Sequence, residues 1–159
     1  MSADKLLETI FAGDLRELMV ISYIVLGNNA VTTRYIERRF RMPVQAWSAL
    51  YAIDKFPGIR AKEIRHLFPR PQNTISRAVS LLEARGFIVQ NPSDSDGREK
   101  RLVATEAGTA VLADLIEVSR QRQEELLGPL STEERAVFFE LARKIATGPD
   151  LLRSAVMRS

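Results

Sequence analysis

The hydrophobic period of this chain changes at one place, and that change constrains the fold more than any other feature. Over residues 71–85 apolar side chains recur at Ile75, Ala78, Val79 and Leu82, the i, i+3, i+4, i+7 spacing that gives an α-helix one apolar face. Gly86 follows, and glycine supplies a left-handed helix cap without steric cost. The pattern then turns to two short β-rich runs, Phe87-Ile88-Val89-Gln90 and Arg101-Leu102-Val103-Ala104. Between them Asn91-Pro92-Ser93-Asp94-Ser95-Asp96-Gly97 is a string of turn formers, so the two runs read as a hairpin.

Helical patterning dominates on both sides. Leu18, Met19, Val20, Ile21, Tyr23, Ile24, Val25 and Leu26 cover every side of a helix, and such a helix must be surrounded by protein. The expected cover is a second copy of the chain; the plainer alternative is the central core helix of a monomer. The run is far shorter than the ~20 residues that span a bilayer, and Asp4 and Glu8 stand where a secretory signal would want basic residues. Gly27, Asn28 and Asn29 are expected to break this helix. Thr32 or Thr33 can then cap a second one toward Arg41, with Arg34, Arg38 and Arg41 on one face. Pro43 reads as the first position of a third helix, with Trp47, Leu50 and Ile53 at helical spacing and Phe56-Pro57-Gly58 at its end. A short helix with Ala61, Ile64, Leu67 and Phe68 as its apolar stripe is closed by Pro69-Arg70-Pro71. After the hairpin, Thr105 is the expected N-cap of a long helix with Val111, Leu115 and Val118 inward, stopped by Gly128-Pro129. Ser131-Thr132-Glu133-Glu134 is a capping box, opening a last helix with Val137, Phe138, Leu141 and Ile145 on one side and Gly148-Pro149 after it.

The 159 residues are enough to bury a core without a disulfide or metal staple. Cysteine is absent, which excludes disulfides, thiolate metal sites and cysteine nucleophiles, and suits a reducing compartment. His66 is the one histidine, too few for a His-rich metal site or most His-centred catalysis. No P-loop, G-x-S-x-G or glycine-rich nucleotide loop occurs, so neither an enzyme nor a bound cofactor is expected. The net charge is only +3, but residues 34–101 carry 14 basic against 7 acidic side chains, a local +7, while the flanks together are −4. A block of that kind marks an anion-binding surface.

Two short helices joined by a tight turn and followed by a β-hairpin give the order of a winged helix-turn-helix. The second helix leaves free a face made of Asn73, Ser76, Arg77 and Ser80, with Gln72 and Thr74 at its start. Such side chains suit a major groove, where Asn or Gln pairs with adenine and Arg with guanine or a phosphate. An ordinary solvated face is the alternative, but solvated faces are rich in Glu and Lys, and residues 71–82 contain no acid. In the hairpin Arg98, Lys100 and Arg101 cluster beside the turn, where an arginine can enter a minor groove, and Asp96 can hold the Arg98 guanidinium. Arg60 and Arg70 are placed as contacts to the DNA backbone.

From about residue 43 to residue 108 the chain resembles the multiple antibiotic resistance regulator (MarR) family of bacterial transcription factors. The likeness rests on residues 72–77 leading to Leu82-Glu83-Ala84-Arg85-Gly86-Phe87-Ile88, then Asp96-Gly97-Arg98 and Thr105-Glu106-Ala107-Gly108. Ala104 and Ser80-Leu81 depart from the usual pattern. The resemblance implies a mainly α fold with a small β-hairpin wing, a winged helix-turn-helix flanked by N- and C-terminal dimerisation helices. The expected parts are N-terminal helices over residues 1–42, a DNA-binding lobe over 43–104 and C-terminal helices over 105–159, within one structural domain. It implies a homodimer, with Leu18, Ile21, Val25, Val137 and Leu141 at its interface, binding double-stranded DNA at pseudo-palindromic operators. It also implies repression of nearby genes in the cytoplasm of a bacterium or archaeon, in association with the nucleoid and without contact to a membrane. Release is expected from a small molecule, often an aromatic acid, for which Tyr35, Arg38, Trp47 and Tyr51 can supply aromatic walls and a cation; more often such residues are plain core. The competing function is a winged-helix module that binds protein without specific DNA binding.

Overall fold

The structure, a computed structural model, describes residues 2–92, 100–154 and 156. The chain forms two compact units, Met1–Ile116 and Glu117–Ser159. The first contains α1 (Ala3–Phe11), α2 (Arg16–Phe40), α3 (Val44–Lys55), α4 (Ala61–Leu67), α5 (Gln72–Ala84), β1 (Ile88–Pro92), β2 (Lys100–Ala104) and the start of α6 (Glu106–Leu126). The second contains the rest of α6 and α7 (Thr132–Ala146).

The core of the first unit is apolar side chains from α3, α4, α5, β1, β2 and α6. Leu50, Ile53, Ile64, Ile75, Leu82, Ile88, Leu102, Leu112 and Leu115 are all fully buried. The four-residue stripe read from α5 is buried throughout. Its C-terminus closes as a Schellman motif: the Gly86 N–H donates to Glu83 O and the Phe87 N–H to Leu82 O, both at 2.9 Å, with Gly86 at φ 71°. The hairpin is antiparallel, with Ile88 opposite Ala104 and Pro92 opposite Lys100, so Phe87 precedes the strand rather than opening it. A third strand contribution, without a signal in the sequence, comes from Ile59, which bridges Leu102 and ties the α3–α4 link to β2.

Several expectations need correction. Gly27, Asn28 and Asn29 do not break a helix; α2 runs through them for 25 residues. One interior glycine costs about 1 kcal/mol relative to alanine, too little to interrupt so long a helix. Thr32 is accordingly not a cap, and its Oγ1 donates back to Asn28 O at 3.0 Å, inside the helix. Arg34 and Arg38 lie on α2, but Arg41 is its left-handed C-cap at φ 49°, so the three do not share a helical face. Pro43 is the N-cap of α3, so the helix starts at Val44, one residue later than expected. Leu67 is exposed, whereas Ile64 anchors α4. Helix α1, capped by Ser2 Oγ accepting from Lys5 N, has no counterpart in the sequence reading.

Thr105 caps α6 as expected, its Oγ1 accepting from Gly108 N at 3.1 Å. Leu112 joins Leu115 in the core, with Val111 half-buried. In the second unit the capping box at Ser131 and Glu134 is complete, at 3.2 and 2.8 Å. Arg135 secures the turn before it, with Nε on Leu127 O at 3.1 Å and Nη1 on Glu124 at 2.5 Å.

Candidate nucleic-acid interface

Burial of Ile75, Ala78, Val79 and Leu82 fixes which side of α5 faces outward. Gln72, Asn73, Ser76, Arg77 and Ser80 are all exposed on that side, with Thr74 half-buried at the start of the helix. Among the described residues none of these six side chains is engaged in a hydrogen bond or ion pair. They are donors and acceptors held on a rigid rod and left for something outside the chain. No acid stands among residues 71–82, so nothing on the first three turns of this face repels a phosphate; Glu83, in the last turn on the same side, is the one acid of α5, and its carboxylate accepts from Gln90.

Helix α4 lies beside this face. At the α4–α5 corner a groove of about 640 Å³ is lined by Arg60, Lys62, Glu63, Arg65, His66, Pro69, Arg70 and Pro71. A smaller cleft between the helices joins Lys62 and Arg65 to Gln72 and Ser76. Lys62 and Arg65 do not stand out in the sequence, and His66 does so only as the one histidine; the available signal was that they share α4 with buried Ile64 inside the basic block.

The two backbone-contact candidates differ. Arg70 is half-buried and lines the groove. Arg60 is drawn onto Glu63: its Nη2 sits 2.5 Å from Oε1, and its backbone N–H donates to Oε2 at 2.9 Å. These two bonds to the ionised form hold the Glu63 carboxyl down at about 2. The capping carboxylate thus fixes the first turn of α4 and takes up part of the positive charge of Arg60.

At the wing, Lys100 is exposed on β2. Arg101 reaches back to the wing root, its Nη1 donating to Gly58 O at 3.2 Å. Asp96 and Arg98, and the pairing expected between them, lie outside the described residues. Gln90 Nε2 donates to Glu83 Oε2 at 2.6 Å, joining β1 to the last turn of α5, so hairpin and helix are oriented together.

The aromatic residues expected around an effector form two pairs. Trp47 and Tyr51 lie one turn apart on α3 with ring centroids 6.0 Å apart, while Tyr35 on α2 packs edge-on against Phe40 at 6.3 Å. Arg38 is exposed. The indole Nε1 of Trp47 is buried and has no hydrogen-bond partner among the described residues, an arrangement that is rare for a buried donor.

The residues expected at a dimer interface are exposed in the single chain. Leu18, Ile21 and Val25 on α2 are 55%, 45% and 51% accessible, and Val137 and Leu141 on α7 are 59% and 57%. Only Ile36 of α2 is buried. No helix among the described residues is long and apolar enough to cross a membrane.

Comparison with known proteins agrees with this geometry. Residues 42–99 match the family model described as MarR family. The chain is 31% identical over 96 residues to an uncharacterized HTH-type transcriptional regulator, YxaD, of Bacillus subtilis (strain 168), covering 60% of this chain and 67% of that one. In fold it is similar to the transcriptional regulator SlyA, with a TM-score of 0.75 at 22% identity over 84% of this chain and 92% of that one. It is similar also to BpsR of Bordetella bronchiseptica, with a TM-score of 0.73 at 17% identity over 82% and 92%.

Proposed function

Since the chain belongs to the MarR family of winged-helix transcriptional regulators, whose members are not enzymes, we propose that it acts as a homodimeric repressor of nearby genes in the cytoplasm of its cell. Each protomer inserts α5 into a major groove of a pseudo-palindromic operator. Arg77 and Asn73 read base edges, while Gln72, Thr74, Ser76 and Ser80 complete the contact. Arg70 and, through whatever charge Glu63 leaves it, Arg60 face phosphates. Lys100, Arg98 and Arg101 belong to the wing, with Asp96 orienting Arg98. The observation that carries the reading is the outward face of the first three turns of α5, residues 72–82, polar, free of acids and unengaged, beside a basic groove.

Two-fold pairing through the exposed apolar side chains of α2 and α7 would put two recognition helices roughly one duplex turn, ~34 Å, apart. Duplexes recovered by the protein from a random pool should therefore show two-fold symmetry. Arg77→Ala and Arg98→Ala should each weaken binding to such a duplex by about 1–3 kcal/mol while fold and dimer persist, and wild-type affinity should fall steeply with salt. Unchanged mobility-shift affinity for both variants, or a flat salt dependence, would refute the DNA-reading role and favour a protein-binding module.

The effector belongs to the same proposal. DNA binding by BpsR is regulated by 6-hydroxynicotinic acid. The unsatisfied Trp47 Nε1 beside Tyr51 is a buried donor without a partner, and it would meet the oxygen of such an aromatic acid once the packing over it opens. Trp47 is the sole tryptophan, so its fluorescence reports this site alone. Titration with 6-hydroxynicotinate, salicylate and benzoate should give a saturable change with at least one of them. A flat response to all three removes the aromatic-acid effector.

A further inference from the structure

Arg85 is the C-cap of the recognition helix α5, and its backbone role there could be filled by almost any residue. Its side chain does something else. The guanidinium leaves α5 and reaches the end of α2, more than forty residues away in sequence: Nη1 donates to Phe40 O at 3.1 Å, and Nη2 donates to Arg41 O. These carbonyls belong to the last residue and the left-handed cap of α2, groups that need donors from outside their own helix. Met42 follows directly and is buried.

This contact lies at a joint. Ile36 is the only buried residue of α2, so the long helix meets the buried core of its unit through its C-terminal end, while farther back it carries α1, with Phe11 against Tyr23 at 5.8 Å. A 25-residue helix is about 37 Å long at 1.5 Å per residue. A tilt of about 5° at that joint displaces its far end by about 3 Å, close to the ~3.4 Å step of one base pair. We propose that Arg85 is a positioning residue that sets the angle between α2 and α5 and thereby the half-site spacing the dimer accepts. The proposal rests on the DNA-binding reading above. A forked guanidinium bridging two carbonyls is what the joint requires, and lysine, with one ammonium point, does not reproduce it.

The test uses the full chain and duplexes that the wild type recovers from a random pool, together with the same duplexes carrying one base pair inserted or deleted at the dyad. The wild type should prefer its own spacing at least tenfold. Arg85→Ala should lose roughly tenfold on the parent duplex, in line with the loss of charged hydrogen bonds, and its preference among the three spacings should shrink at least fivefold. Arg85→Lys should behave like Arg85→Ala, which keeps the test valid if the alanine variant folds poorly. Both variants should keep wild-type affinity for a duplex of unrelated sequence. Equal loss on every duplex, the unrelated one included, would make Arg85 a phosphate contact and overturn the proposal, as would unchanged spacing preference. If the wild type recovers no symmetric duplex, the DNA-binding reading fails before Arg85 is reached.

Discussion

Gly108→Ala tests the packing that sets the wing against the long helix after it. Gly108 sits in the first turn of α6, and a Cβ built on it would lie 2.0 Å from the carbonyl oxygen of Phe87, 2.9 Å from its carbonyl carbon and 3.2 Å from its Cα. All three are backbone atoms, so no side chain can swing away. The same place carries three bonds of Thr105: its N–H to Phe87 O at 3.0 Å, its Oγ1 to Gly86 O at 2.6 Å, and its Oγ1 accepting from Gly108 N. Backing α6 off far enough to admit a methyl group opens these bonds. Overpacking costs about 1–3 kcal/mol and loss of the cap about 1, while alanine in a helix returns about 1. The net is a destabilisation of about 2 kcal/mol, or about 4–8 °C in Tm for a chain of this size. Gly27→Ala is the control. It lies in α2 with nothing within 4 Å of the added Cβ, on the side of the helix away from Leu18 and Val25, so it should stabilise by up to about 1 kcal/mol. Circular dichroism melts at matched protein concentration, needed because dimerisation couples to stability, should move in opposite directions. A Gly108→Ala Tm equal to or above the wild type would refute the close-approach argument.

Glu63 titrates near 2 in the folded chain against 4.5 as its ordinary value, so it binds fewer protons folded than unfolded. Its contribution is full above about pH 5 and is lost as pH falls through 4.5 toward 2; since the pair is about a third exposed, its size is no more than about 1 kcal/mol. Glu63→Gln should remove this increment of acid sensitivity between pH 5 and 2, and identical acid unfolding slopes for the two proteins would count against it. Ser131→Ala removes the oxygen that accepts from Glu134 N and should cost about 1 kcal/mol in urea melts; no shift in midpoint would mean the capping box contributes nothing. Ile21→Asp and Leu141→Asp place charge on the exposed apolar faces of α2 and α7 and should convert the dimer to monomer by light scattering. A mass unchanged by both would exclude those faces from the interface.

The elements that were legible are those whose signals are local. The α5 stripe, the Gly86 cap, the Thr105 cap and the Ser131 box each depend on residues within one or two turns, and each is found where the pattern placed it. The break expected at Gly27 failed for the opposite reason: local propensity of about 1 kcal/mol yields to the cooperativity of a 25-residue helix. The Ile59–Leu102 bridge and the reach of Arg85 to Phe40 and Arg41 were not legible, since they pair residues more than forty apart with no periodic signature. Arg60 and Arg101 show the same limit within the site. As sequence each is one more cation in a basic block, whereas in the fold Glu63 and the Gly58 carbonyl engage them.

The bridge between Ile59 and Leu102 has a consequence for how such a protein diversifies. Gly58 N donates to Leu102 O at 2.8 Å and Leu102 N to Ile59 O at 3.0 Å, so the segment carrying α4, α5 and β1 begins and ends at one clasp. A stretch whose two ends already touch can be exchanged whole with little rearrangement at its junctions. The face of α5 and the groove beside it travel together inside that clasp, while α1, α2 and α7 stay outside it. On the DNA-binding function proposed above, operator preference would be inherited as a cassette, and a chimera cut at residues 59 and 102 should carry its donor's sequence preference into the recipient.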